Sequence, residues 1–574
     1  MPSRIRRGRA VFAAVFLAVL VARGAYLVSL SGTPLSLWHL WTQTDEWGYV
    51  DWSAHLAAGN WRDVPAWRSY FGWQEAYGTR EEWEQWYQKN AYFSGPLYAY
   101  GLALLRLAFG SPVWPARIVQ LLLACLASAV LALAVLGLGR RREDFLGRER
   151  GEADGAGRAS HEAQESGTSA AVAATLAGIL YGLYGPLVFH DGFLLRDGPV
   201  AHVSTLLLAW PLIARGRSSP FLLGLLGGLA ILLKQTVAPL AVASLYCLHF
   251  SSLYSPSEKP PGGAQRRRRI FLFGLLGLAI PLGVLAARNI SAGVPPLTFD
   301  TRQTIGLVWG NARGADATTS SPPGMEEMLE EARGSTLRTA RLVLESYRGA
   351  PLELPKLLLK KLATFFNAFE VPDNANFYFF RDRIGILRLL PVYSCLLGAG
   401  LVGLFAALSR GVLRREENLL AAVAILTPLA ACLLVQTTSR YRAAMAGPLA
   451  LGCGLFLLFA FEAIRRRRLR EAGLLALAAG ALSLVPLLPS TIPAGRHRFS
   501  DAMVYATLVE GRGDLAGAAA EVRRYLEEGA DDSSRDAGVA SLRHWYETGD
   551  RSGTNVAPEG LAPPERRLKP PLGK

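Results

Sequence analysis

Cysteine is scarce in this chain. The five present, Cys125, Cys247, Cys395, Cys432 and Cys453, lie in or beside long apolar runs, and none has CxxC spacing. That pattern argues against a disulfide framework or a zinc site and for small apolar packing residues. Also missing are the glycine-rich phosphate loop of nucleotide hydrolases, the GxSxG nucleophile elbow and the HExxH zinc motif. The eight histidines show no metal-ligand spacing. Strict alternation of apolar and polar residues, the mark of a membrane barrel, does not occur.

What is present is apolar sequence in blocks. The chain is 51% hydrophobic with a mean hydropathy of +0.22, and residues 118–138, 170–189, 270–287, 418–435 and 471–488 carry almost no charge. A helix needs about 20 apolar residues to cross a bilayer, and outside a closed barrel only a helix satisfies its own backbone there. The expectation is an all-α polytopic membrane protein with about 11 transmembrane helices. They fall near 10–30, 114–138, 169–189, 197–214, 219–236, 237–250, 270–287, 390–408, 418–436, 442–462 and 471–488.

The net charge of +15 does not point to nucleic acid, because its placement is topological. Basic clusters at Arg4–Arg9, Arg140–Arg142, Arg215–Arg217, Arg266–Arg269, Arg410–Arg415 and Arg465–Arg470 each sit at the end of an apolar segment. By the positive-inside rule one threading puts all of them in the cytoplasm. The N-terminus is then cytoplasmic, and the loops 31–113 and 288–389 and the tail 489–574 lie outside. The small residues at Ala22–Ala25 would also suit a cleaved signal peptide, but the apolar run continues to Leu30, as in an uncleaved anchor. Residues 96–110 are apolar but short and contain Arg106, so they read as an interfacial or re-entrant helix. The polar stretch 139–168 reads as disordered. Residues 501–528 have the spacing of a small helical hairpin similar to one tetratricopeptide unit.

Three groups of residues could carry chemistry. Asp45 and Glu46 follow the first span by about fifteen residues. A carboxylate held near the membrane surface can serve as a general base; a solvated acidic pair is the plain alternative. In the loop between the third and fourth spans, Asp191, Arg196 and Asp197 place charges where they are costly unless used, although Arg196 and Asp197 could simply pair and cap a helix. Lys234, Arg440 and Arg442 fall at one depth under this threading. Arginine matches phosphate oxygens in a bidentate way, which suits a lipid phosphate; snorkelling toward headgroups is the alternative. Nine of the thirteen tryptophans lie between Trp38 and Trp86, consistent with a headgroup belt or with stacking on sugar rings and lipid tails.

Taken in order, these pieces resemble the GT-C superfamily of integral-membrane glycosyltransferases, which includes protein O-mannosyltransferases and lipid A aminoarabinose transferases. The resemblance spans about 10–460 and is closest to bacterial branches with tetratricopeptide-like tails. It rests on Asp45-Glu46 with Tyr49, on Gly95–Tyr98 before a short helix ending at Phe109-Gly110, on the Asp191–Asp197 stretch, on Gly228–Thr236, and on Ser439–Arg442. The stretches Gly310–Asp316 and Asn367–Phe377 look like segments of the same branch. The resemblance implies a catalytic transmembrane module over 1–287 including loop 31–113, a large outer-face loop 288–389, further transmembrane helices over 390–488 and an extracytoplasmic tail 489–574.

It also implies a sugar donor carried on polyprenyl phosphate, used at the extracytoplasmic face of a bacterial inner membrane on a protein, lipid or glycan acceptor. Asp45 matches the catalytic base position, with Glu46 its rival. Asp191 or Asp197 would orient the acceptor or the base, and Lys234, Arg440 and Arg442 would hold the leaving phosphate. Some members bind a divalent cation at the acidic motifs and others do not. Two other classes fit the topology. One is a lipid or polysaccharide transporter or flippase, which would place polar residues in mid-helix and repeat internally; neither is seen. The other is an envelope-assembly scaffold using the tail hairpin.

Overall fold

The structure, a computed structural model, describes residues 2–41, 44–62, 81, 90–151, 156–213, 220–251, 263–318, 322–490 and 498–529. Its regular elements, among these residues, are all helical. From the N-terminus, α1 (Pro2–Ser31) leads through a 3-10 turn, Pro34–Leu40, into α2 (Asp45–Ala57). Then come α3 (Leu97–Phe109), α4 (Val113–Gly151), α5 (Ala156–Gly182), α6 (Gly185–Asp191), α7 (Asp197–Ile213), α8 (Pro220–Leu233), α9 (Ala238–Ser251) and α10 (Gly263–Ser291). The large loop holds α11 (Gln303–Asn311), α12 (Met325–Ala332), α13 (Thr336–Glu345), α14 (Glu353–Phe366) and α15 (Phe377–Arg383). The chain ends in α16 (Tyr393–Ser409), α17 (Arg415–Leu434), α18 (Ala446–Arg465), α19 (Leu469–Leu484) and a hairpin of α20 (Arg498–Glu510) and α21 (Leu515–Gly529).

Seven helical segments among the described residues are long and apolar enough to cross a membrane, and α5 with α6, bent by 50°, makes an eighth if taken as one span. The expected polytopic all-α architecture is therefore present. The difference from the expected count of about eleven lies in α7, α8 and α9, which have 17, 14 and 14 residues. α7 is buried along nearly its whole length among α4, α9 and α18. A helix surrounded by protein does not have to match the thickness of lipid. α8 and α9 are parted by an extended Lys234 and a 3-10 turn, Gln235–Val237. The described part of 139–168, expected to be disordered, is helical instead: α4 continues to Gly151 and α5 begins at Ala156.

The bundle has two chemically distinct ends. At one, the arginine clusters pair with glutamates from other helices: Arg141 with Glu417, Arg142 with Glu462 at 2.7 Å, and Arg410 with Glu471. At the other, α2, the large loop and the tail hairpin meet. There α20 packs on the 3-10 turn 34–40, Tyr505 meets Phe379, and Arg383 pairs with Glu521. Small residues let α16 and α18 touch backbone to backbone, since a side chain on Gly403 would collide with the Gly452 carbonyl.

Candidate functional site

Asp45 is placed by its own helix. Thr44 caps α2, its hydroxyl accepting from the Trp47 amide at 3.2 Å, and an acidic residue in a first helical turn is favoured by the dipole. The side chain is then gripped from distant segments. Asn374 accepts from the Asp45 amide at 2.8 Å and donates to Asp45 Oδ2 at 3.2 Å. Arg440 donates to the same oxygen at 2.7 Å, and Arg302 to Oδ1 at 3.0 Å.

From Asp45 the charges continue as a chain. Arg440 also faces Asp373, with Nε 2.6 Å from Oδ2, and Asp197 at 3.7 Å. Asp197 accepts from Lys234 Nζ at 2.9 Å, and that ammonium sits 3.7 Å above the Tyr441 ring. Next to Lys234, Arg196 donates to the Leu233 carbonyl at 3.1 Å, capping the C-terminus of α8. Gly95 lies against this corner: a Cβ there would be 2.6 Å from both the Arg196 guanidinium and the Leu233 carbonyl. Burial would push the Asp45 carboxyl upward, but Arg302 and Arg440 outweigh it and hold the group well below the usual carboxylate range. Burial lifts the Asp373 carboxyl above its ordinary value despite Arg440.

The cluster opens on a narrow cleft of about 30 Å³. Asp197, Lys234, Arg440 and Tyr441 form its polar end. Its other walls are apolar residues of α7, α9, α17 and α18, among them Val200, Leu240, Ala424, Pro428 and Pro448. The chemistry of this lining, with cations at one end and apolar side chains beyond, suits an amphiphile with an anionic head and an apolar tail.

The remaining expected site residues lie elsewhere. Glu46 is fully buried and its Oε1 accepts from the Leu194 amide at 2.8 Å. Burial pushes its carboxyl up to about 7, with the Arg117 charge and the Leu194 amide pulling the other way. Asp191 is bound by Arg23 of α1 and by His202 of α7, the latter at 2.8 Å, so the second acidic stretch divides between two places. Arg442 pairs with Glu370 at 2.7 Å and donates to the carbonyls of Phe365, Asn367 and Phe369. It ties the end of α14 to the short helical turn Ser439–Arg442.

Arg302 was not singled out from sequence, and Asp373 and Asn374 were named only within the stretch Asn367–Phe377, with no role assigned. Asp373 and Asn374 lie in a polar run, Pro372–Asn376, between aromatic residues, and that contrast was the available signal; Arg302 had none. Of the tryptophan-rich loop, Trp38 packs against Phe379 and Phe380, and Trp52 against Tyr92 and Tyr100. Trp67, Trp73, Trp83 and Trp86 lie outside the described residues. As for a divalent cation, no three His, Cys, Asp or Glu among the described residues are grouped to hold a metal ion. Asp45, Asp197 and Asp373 converge on the Arg440 guanidinium instead.

No protein-family model and no curated protein matches the chain. Among solved structures, it aligns with the crystal structure of the Archaeoglobus fulgidus oligosaccharyltransferase tethered with an acceptor peptide containing the NVT sequon. Identity is 14%, the TM-score is 0.38, and the alignment covers 91% of this chain but 58% of that one.

Proposed function

We propose that the chain is a membrane glycosyltransferase that moves a sugar from a polyprenyl-phosphate carrier to an acceptor hydroxyl or amide. The observation that carries this reading is the lining of the cleft: Lys234 and Arg440 stand at its polar end, and apolar residues of α7, α9, α17 and α18 form most of its walls. A lipid phosphate places its charge and its chain in that order.

In the proposed step the acceptor atom attacks the anomeric carbon. The bond from that carbon to the phosphate oxygen breaks, and the carrier phosphate leaves with the electron pair. Arg440 and Lys234 meet the charge that develops on it. Asp45, at the junction of the cluster, takes the proton from the acceptor. Direct displacement of this kind inverts the anomeric centre. Asp197 orients Lys234, and Arg196 fixes the break at which Lys234 turns inward. On this reading Glu46, Asp191 and Arg442 hold the surrounding elements in place rather than touch substrate.

The test is sugar transfer by purified protein from a panel of polyprenyl-phosphate donors. Asp45→Asn is expected to abolish transfer while the protein still folds. Unchanged transfer in the Asp45→Asn variant would sink the assignment of the base, and loss in Glu46→Gln with a folded protein would pass that role to Glu46. Donor-independent movement of lipid across the bilayer would favour a flippase.

A further inference from the structure

Among the described residues, the large loop carries an apolar face that no other segment covers. α13 buries Val343 in a small core with Ile305, Val308, Met325 and Leu329. On its other side Leu337, Arg341 and Leu344 follow at intervals of four and three residues, which is one stripe of a helix, and Arg348 lies in the turn just past its end. The pattern recurs at α14. Leu357, Lys361 and Phe365 point inward, while Leu352, Lys356 and Leu359 point out. The four leucines of the two stripes are 84%, 61%, 71% and 65% exposed, in chain order. A single exposed leucine needs no explanation, but a repeated leucine–cation stripe does.

The place of these helices says what covers them. Lys361 Nζ donates to the Leu433 and Val435 carbonyls at 2.9 Å, and Asn311 donates to the Leu434 carbonyl at 2.7 Å, all at the C-terminal end of the membrane span α17. Asn367 donates to the Leu488 carbonyl and the Ala368 amide to the Pro486 carbonyl, both at 2.7 Å, just past the end of α19. The loop helices therefore rest on the rims of two spans. Those rims carry exposed leucines of their own, Leu434, Leu487 and Leu488.

We infer that α13 and α14 lie in the headgroup layer of the membrane at the Asp45 end. Leu337, Leu344, Leu352 and Leu359 reach the upper acyl carbons, and Lys356, Arg341 and Arg348 stand among lipid phosphates. Glu345 bridges the two arginines, at 3.0 and 2.7 Å, and the stripes keep a net positive charge. This is how an amphipathic helix binds a bilayer surface, with long cationic side chains snorkelling outward. The inference stands whether or not the chain transfers sugar.

The test uses the full chain in proteoliposomes of phosphatidylethanolamine and phosphatidylglycerol. Nitroxides are placed by Leu344→Cys and Leu359→Cys, with Glu330→Cys as the aqueous control and the exposed Cys395 changed to serine. Collision with oxygen and with a water-soluble nickel chelate is read by power saturation. The expected result is an inverted ratio: oxygen dominates at positions 344 and 359, and nickel at 330. Nickel access at 344 and 359 equal to that at 330 would place the face in water and overturn the inference. Shielding from both reagents would show a protein, such as a second copy of the chain, covering the face, and would overturn it equally.

Discussion

Arg440 reaches Asp45 Oδ2 at 2.7 Å across 395 residues of sequence. The same guanidinium faces Asp373 and Asp197, so one side chain organises three carboxylates from three parts of the chain. The planar fork of arginine is what allows this; an ammonium is a single point of charge. Arg440→Lys should therefore lower transfer by about 100- to 1,000-fold, the range for losing one preorganised donor to a developing oxyanion. The transfer rate checks it, and an unchanged rate would remove Arg440 from the chemistry.

Arg302 should prove a latch on Asp45. Both Asp45 oxygens are engaged, by Arg302 on one side and by Arg440 and Asn374 on the other, and a general base needs a free one. The Arg302 side chain is 29% exposed against 6% for Arg440, so Arg302 is the partner with room to leave. Asp45 faces Arg302 and Arg440 directly, with Asp373 and Asp197 behind Arg440. Removing one cation weakens the charged form of the carboxyl. Arg302→Gln should therefore move the acid limb of kcat/KM to higher pH, and Arg302→Lys should restore it. A limb that stays in place in Arg302→Gln would reduce Arg302 to a loop anchor.

Glu46 predicts a pH effect on stability rather than on chemistry. Its carboxyl is lifted from 4.5 to about 7, first by burial. The folded protein thus holds this proton more tightly than the unfolded chain. The resulting stability is complete below 4.5 and is lost as pH rises through about 7. Glu46→Gln keeps an acceptor for the Leu194 amide and cannot ionise. Its thermal midpoint should exceed the wild type's on the alkaline side of that window and match it on the acid side. Equal midpoints throughout would show that Glu46 is not protonated on folding.

Lys361 should matter to stability out of proportion to its place in a loop. It is fully buried, and its ammonium donates to Asn311 Oδ1 and to the Leu433 and Val435 carbonyls, each at 2.9 Å. Lys361→Met strands these acceptors at a cost of about 1–3 kcal/mol for each one left unsatisfied. Thermal unfolding should fall accordingly. Proteolysis should begin within 303–366, where α14 loses its hold on α17, and an uncut loop would contradict this.

Much of this molecule could be read directly from residue order. Apolar blocks, their lengths and the arginines that end them are local properties, and they mark helices and their ends without knowledge of any neighbour. Asp45, Asp197, Lys234 and Arg440 could be named as candidates for the same reason: charges beside apolar runs are visible one at a time. Packing decided the rest. Asp45 and Glu46 are adjacent in sequence, yet successive residues of a helix point about 100° apart, so one enters the charge cluster and the other the core. Asp191 and Asp197 flank one short loop, but only Asp197 meets Lys234. Arg302 lies 257 residues and Asn374 lies 329 residues from Asp45, and no local pattern records such a pairing. Those contacts exist because the large loop folds back on the rims of the spans, where buried charges find partners in one another.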